Sequence, residues 1–124
     1  MEACDFIKVD VEGMELRVLT GAQATISRFR PVVAIECWNA QAGWPSLQHM
    51  QRLQYQAFVC RHRAYNPANF YGNPENWLEA AYEPALLFVP AERVAAMADR
   101  IHPRVMIAAR SLDELARGIA TPPD

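Results

Sequence analysis

Hydrophobic positions along this chain change period several times, and each change marks an element. Phe6-Ile7-Lys8-Val9-Asp10-Val11 is a short β-branched run that ends in Glu12-Gly13. Apolar residues then recur at helical spacing through Leu16, Leu19, Ala22, Ile26 and Phe29, which predicts strand, tight turn, helix. Gly21 lies inside that helical pattern and predicts a break, since glycine costs about 1 kcal/mol relative to alanine in a helix interior. Pro31 stops the helix and opens Val32-Val33-Ala34-Ile35-Glu36-Cys37-Trp38, an apolar run of the kind found in strands covered on both faces. Strand, crossover helix and second strand form a βαβ unit, so these two strands are expected to be parallel.

After Trp44-Pro45, the three-residue spacing of Leu47, Met50 and Leu53 predicts a helix with Pro45 near its first turn. Tyr55 to Arg61 reads as a third strand and Ala85 to Val89 as a fourth, closed by Pro90. Between them some twenty residues carry two Asn-Pro pairs, Asn66-Pro67 and Asn73-Pro74, with Tyr65, Phe70, Tyr71, Trp77 and Tyr82. Loops this long are uncommon in compact domains unless they bind something or cover a site. Glu92 to Ile101 predicts a helix with Val94, Met97 and Ile101 on one face. Ser111-Leu112-Asp113-Glu114 matches a capping box before a last helix to about Ile119, and Thr121 to Asp124 is expected to fray. The expected units are an α/β domain over 1–110 and a C-terminal helix and tail over 111–124.

Composition narrows the functional classes. With 12 Lys and Arg against 14 Asp and Glu in 124 residues, the formal charge is −2, and the two signs are interspersed. There is no basic stripe for nucleic acid and no polybasic membrane patch. No apolar stretch approaches the length of a membrane span, and the first residues lack the pattern of a signal peptide, so a cytoplasmic location is expected. Cys4, Cys37 and Cys60 form an odd set without C-x-x-C spacing, which suits reduced thiols in apolar surroundings. His49, His62 and His102 have no metal-ligand spacing.

The densest chemical signal is Asp10-Val11-Glu12-Gly13-Met14-Glu15. Residues two apart on a strand share a face, so Asp10 and Glu12 are expected to project together where the strand ends. Glu36 ends the neighbouring strand, and ligands in open α/β sheets bind beyond the carboxyl ends of strands. Three converging carboxylates are suited to bind a divalent cation, to accept hydrogen bonds from a hydroxylated substrate, or to hold one carboxylate at raised pKa as a general base. The plainer alternative is that Glu12 or Glu15 complements the helix N-terminus and Asp10 holds the turn.

These residues carry a family resemblance. Phe6 to Leu16, then Val18-Leu19, Gly21-Ala22 and Arg30-Pro31-Val32-Val33 ending in Glu36, resemble the central stretch of the FkbM-type S-adenosylmethionine-dependent methyltransferases. Tyr65-Asn66-Pro67-Ala68-Asn69, Gly72-Asn73-Pro74-Glu75-Asn76 and Leu87-Phe88-Val89-Pro90 are also similar to segments in some members, so the resemblance spans about residues 4 to 92.

The resemblance implies a Rossmann-like class I methyltransferase sheet, mostly parallel with a final antiparallel strand and with helices on its faces. It also implies S-adenosylmethionine as cofactor and methyl transfer to a hydroxyl of a saccharide or natural-product acceptor. Asp10 and Glu12 would stand at the cofactor and acceptor edge as catalytic residues, supported by Glu36. Tyr65, Asn66 and Asn69 would line the acceptor side. The chain has no G-x-G segment of the kind that holds the cofactor, and so looks like the C-terminal half of such a domain. The competing expectation is a non-catalytic half-domain that pairs with a second copy, or with a complementing N-terminal half, through the open edge of its first strand.

Overall fold

The computed structural model describes residues 2–123. A five-stranded sheet is built from β1 (Phe6–Val9), β2 (Val32–Glu36), β3 (Tyr55–Arg63), β4 (Tyr82–Pro90) and β5 (Met106–Ala109), in the order β1-β2-β4-β3-β5. Four helices accompany it: α1 (Glu15–Gly21), α2 (Gln23–Phe29), α3 (Ala40–Arg52) and α4 (Leu112–Ala120). The expected parallel pair is present, with Phe6 opposite Val32 and Val9 opposite Ile35. Beyond it the sheet departs from a mostly parallel one. β4 runs antiparallel to both β2 and β3, and β5 antiparallel to β3.

The chain steps from β1 to β2 and then from β2 over β4 to β3 in the same direction across the sheet. A single hand of crossover therefore puts α1, α2 and α3 on the same face. Val9, Val33, Ile35, Leu86, Phe88, Ala57, Val59 and Ala109 point to that face and form the main core with Leu19, Ile26, Leu47, Met50 and Leu115. The opposite face is covered only over part of its area. There Val32, Phe58 and Val89 are buried under Val94, Met97 and Ile101.

Local chemistry explains most boundaries. The helix broken at Gly21 is observed as α1 and α2, joined through Ala22. α2 ends at Arg30 in the left-handed region (φ 52), directly before Pro31. The Arg30 guanidinium makes a bidentate pair with Glu92 at 2.8 and 2.9 Å and donates to the carbonyls of Leu53 and Gln54. It also lies 4.5 Å from the centre of the Tyr55 ring. The hydrogen bond to Arg30 holds the Glu92 carboxyl far below its usual range, at about 2.

Several expectations are corrected. α3 begins five residues before Pro45 because the Asn39 side chain caps it by accepting from Ala42 N at 2.9 Å. The segment 91–100 is two 3-10 turns and not an α-helix, an arrangement in which residues three apart eclipse and set Val94 and Met97 over the same patch of sheet. β5 was missed because Met106-Ile107-Ala108-Ala109 has weak intrinsic strand preference; its pairing with β3 supplies the order. The tail is held as well. Arg61, almost fully buried, donates to the carbonyls of Thr121, Pro122 and Arg104, and Pro123 is buried. Asp124 lies outside the described residues. Ser111 caps α4 as expected, but Glu114 reaches back to Arg110 N, one residue earlier than a standard capping box.

α4 joins the same core through Leu115, and Gly118 is what allows its close approach to β3: a Cβ there would lie 2.8 Å from Val59 Cγ2. Gly118→Ala gains about 1 kcal/mol of helix propensity. It meets a stiff β-branched side chain that is fully buried, an overpacking cost of about 1–3 kcal/mol. The variant is expected to melt below the wild type in a calorimetric scan, and an unchanged or higher melting temperature would show that α4 is free to shift.

Candidate functional site

β1, β2 and β3 all run toward one edge of the sheet, and β4 starts there. The half of the thinly covered face nearest that edge is bare, and it forms a cavity of about 260 Å³. Ala34, Pro84 and Ala85 contribute to its apolar lining, and Lys8, Glu36, His62, Glu83 and Trp38 supply its polar and aromatic groups. Alternation along the strands accounts for the set: Lys8, Glu36, Ala85, Glu83 and His62 all point away from the helices, with Glu36 opposite Ala85 and His62 opposite Glu83.

The carboxylates that meet here are Asp10, Glu36 and Glu83. Partial burial raises the Glu36 carboxyl above its usual range first, followed by the negative charge of Asp10; Lys8 opposes the shift and Glu83 adds to it. Lys8 pairs with Asp10 at 3.5 Å, and His62 Nε2 lies 3.3 Å from Glu83. Sequence reasoning missed Glu83, because only the antiparallel registers of β4 with β2 (Glu36 opposite Ala85) and with β3 (His62 opposite Glu83) bring it to this edge.

Glu12 is placed differently from the expectation. β1 ends at Val9, so the two-residue alternation does not extend to Glu12, whose backbone is left-handed (φ 46) in an exposed turn with Gly13 (φ 94). The plainer alternative holds for Glu15, whose carboxylate accepts from Gly13 N at 3.0 Å ahead of α1. Among the described residues, no group of three or more His, Cys, Asp and Glu side chains is arranged to hold a metal ion. Cys60 and His62 share a face, but burial pushes the Cys60 thiol up to about 11, which keeps it protonated. Cys37 is likewise at about 11, and Cys4, Cys37 and Cys60 are all free thiols.

Tyr65, Asn66 and Asn69 lie just beyond the same edge, in the loop of residues 64–81 whose base is closed by Ala64 N donating to Ala81 O. Their polar atoms largely hold the loop. Tyr65 donates to Asn73 O at 2.9 Å, Asn66 Oδ1 accepts from Ala68 N, and Asn69 bonds Asn66 and Asn73. They also line a second, more open cavity of about 460 Å³ together with Tyr71, Asn73, Glu75 and Trp77.

The Glu36 shift has a definite consequence for stability. A carboxyl whose folded pKa is raised destabilises the fold when ionised, and the cost disappears as pH falls through the folded value. Glu36→Gln is therefore expected to melt above the wild type at pH 7, with the two converging in mildly acidic buffer. A difference independent of pH would show that Glu36 acts through packing.

No curated protein and no solved structure matches the chain. The family model described as the methyltransferase FkbM domain matches residues 1–66, which carry β1, β2, all of β3, the Asp10–Glu36 pair and the first residues of the loop. That match covers more than half of the 124 residues, and the chain belongs to the FkbM methyltransferase domain family.

Proposed function

We propose that the chain serves S-adenosylmethionine-dependent O-methylation, supplying the proton-accepting edge and the acceptor side of the reaction. The observation that carries this reading is Glu36, which lines the cavity and has the Asp10 carboxylate beside it, in a chain of this family. Methyl transfer to a hydroxyl needs the acceptor oxygen aligned and its proton removed. Glu36, raised above ordinary carboxylates, is the group to take that proton as the oxygen gains its methyl. Asp10 favours the proton-bound form of Glu36 by its charge, and Lys8 holds Asp10 in place. Glu12, in the exposed left-handed turn beyond β1, has no interaction with Glu36 of the kind Asp10 makes and is given no part in this step. The acceptor is a small molecule bearing a hydroxyl, of saccharide or natural-product type.

S-adenosylmethionine is the cofactor that family membership suggests, yet the described residues do not by themselves fit it. The five glycines are isolated, and Gly43 and Gly118 are closed off by Cys37 and Val59, so none forms a cradle of adjacent backbone N–H groups. In this reading the cofactor contacts are completed by a complementing N-terminal half. Titration calorimetry of the chain alone with S-adenosylmethionine is expected to show no micromolar binding; such binding would overturn the division of labour. In the complemented enzyme, Asp10→Asn and Glu36→Gln are expected to lower turnover at least tenfold, about 1.4 kcal/mol of barrier, without loss of melting temperature. Glu12→Gln leaves turnover unchanged. Retained turnover in Glu36→Gln would sink the assignment.

A second reading, self-association without catalysis, is favoured by the free edge of β1, where Phe6 is 56% exposed. It expects a dimer in light scattering that Phe6→Lys dissociates. A wild-type chain that stays monomeric across the concentration series would remove it.

A further inference from the structure

The edge of the sheet opposite β1 ends in a strand whose outer backbone is unpaired. β5 borders β3 alone. Arg61 N donates to Val105 O at 2.9 Å, and bonded pairs alternate along an antiparallel ladder, so Val59–Ile107 and Ala57–Ala109 are the bonded pairs. Met106 and Ala108 therefore turn their N–H and C=O groups away from β3. The Met106 N–H is taken by His102 O at 2.8 Å, and the Arg110 N–H by the Glu114 carboxylate at 2.6 Å. Among the described residues, the N–H and C=O of Ala108, midway between, have no partner. They open beside a cavity of about 290 Å³ that β5 shares with α4, lined by Ile107, Ala108, Glu114, Arg117, Gly118 and Thr121. Glu114 and Arg117 stand one turn apart on this outer side of α4, Glu114 half-buried and Arg117 exposed. Among the described residues, Arg117 makes no ion pair, and only one oxygen of Glu114 accepts a bond.

We propose that this edge is an interface between two copies of the chain, with their β5 strands antiparallel about a two-fold axis at Ala108. Self-complementarity selects a second copy over a foreign strand. A residue that presents both a donor and an acceptor outward pairs with its own counterpart through a reciprocal pair of N–H···O=C bonds. Glu114 and Arg117 lie beside the axis at i and i+3 on one helix, so the rotation sets each Glu114 against Arg117 of the second copy. Unlike charges meet on both sides of the axis, whereas a strand of single charge would meet a like charge on one side. Met106 and Ala108, half-buried at the rim of the smaller core, are covered by the same contact. Short length and the plugged ends of β5 limit pairing to this one register, since only Ala108 has its outward groups free. β1 is the opposite edge of the sheet and stays open, so the proposal depends neither on the methyl-transfer reading nor on pairing through β1.

The test is sedimentation equilibrium of the full chain over a concentration series, with a melting curve for each variant. The wild type is expected to show a monomer–dimer equilibrium with a Kd of about 10–100 μM, in keeping with a small interface. Ala108→Pro removes one outward N–H from an edge strand, where proline is tolerated, and is expected to weaken the dimer at least tenfold at unchanged melting temperature. Arg117→Glu leaves the bond between Glu114 and Arg110 N in place and sets like charges across the axis, so it is expected to be monomeric. Glu114→Lys is expected to be monomeric as well, and an equimolar mixture of the two restores unlike pairs and forms the mixed dimer. Phe6→Lys leaves the dimer intact. A wild-type chain that is monomeric throughout the series overturns the proposal and leaves this edge to a foreign strand or to water. A dimer that Ala108→Pro and Arg117→Glu leave unchanged overturns it too. So does a dimer that dissociates with Phe6→Lys alone, which places the association at β1.

Discussion

The structure depends on one topological constraint, that both crossovers step the same way across the sheet. With a common hand of connection, α1, α2 and α3 have no choice but to share a face, and α4 joins them there. Every large core side chain of β2, β3 and β4 that can reach these helices is buried on that side. The other face receives only the 3-10 segment, which shields Val32, Phe58 and Val89 and stops short of the strand ends. The 260 Å³ cavity is the part of the sheet left over. Its chemistry follows from position, because outward-facing residues near the carboxyl ends of strands need not be apolar.

Two arginines fasten the segments that have little core of their own. Arg30 binds Glu92 and two carbonyls at the start of β3, so the end of α2, the beginning of β3 and the 3-10 segment share one anchor. Arg61 is more buried, and among the described residues it bonds carbonyls of Arg104, Thr121 and Pro122 in place of a carboxylate. Among the described residues its Nε has no partner, a desolvation cost carried by an otherwise productive contact. In both cases a planar guanidinium with several donors does what a lysine could not, because the carbonyls lie in different directions.

The candidate site divides into a part fixed by the sheet and a loop ordered by its own hydrogen bonds. Asp10, Glu36, Glu83 and Lys8 stand on or directly beside paired strands, so their separations are set by the sheet. The loop beyond them is ordered by side-chain to backbone hydrogen bonds within itself and touches the core little.

Sequence alone determined what depends on short-range pattern: the β1–turn–helix start, the break at Gly21, the stop at Pro31, the parallel β1–β2 pair, the Asn-Pro loop and the Ser111 cap. Each rests on the periodicity or stereochemistry of a few adjacent residues, so neighbours in the chain suffice to specify it. It also marked Asp10 and Glu36, since both lie near the ends of strongly patterned strands. Only the tertiary structure decided the rest. Glu12 left the group because a left-handed backbone at the strand end broke the alternation assumed for it. Glu83 entered because β4 lies between β2 and β3, in a register that sets Glu36 opposite Ala85 and His62 opposite Glu83 and so brings a distant residue to the same edge. β5, the 3-10 turns and the anchored tail formed because burial against β3 and bonding to Arg61 outweigh weak local preference. Such gains are absent until the sheet exists.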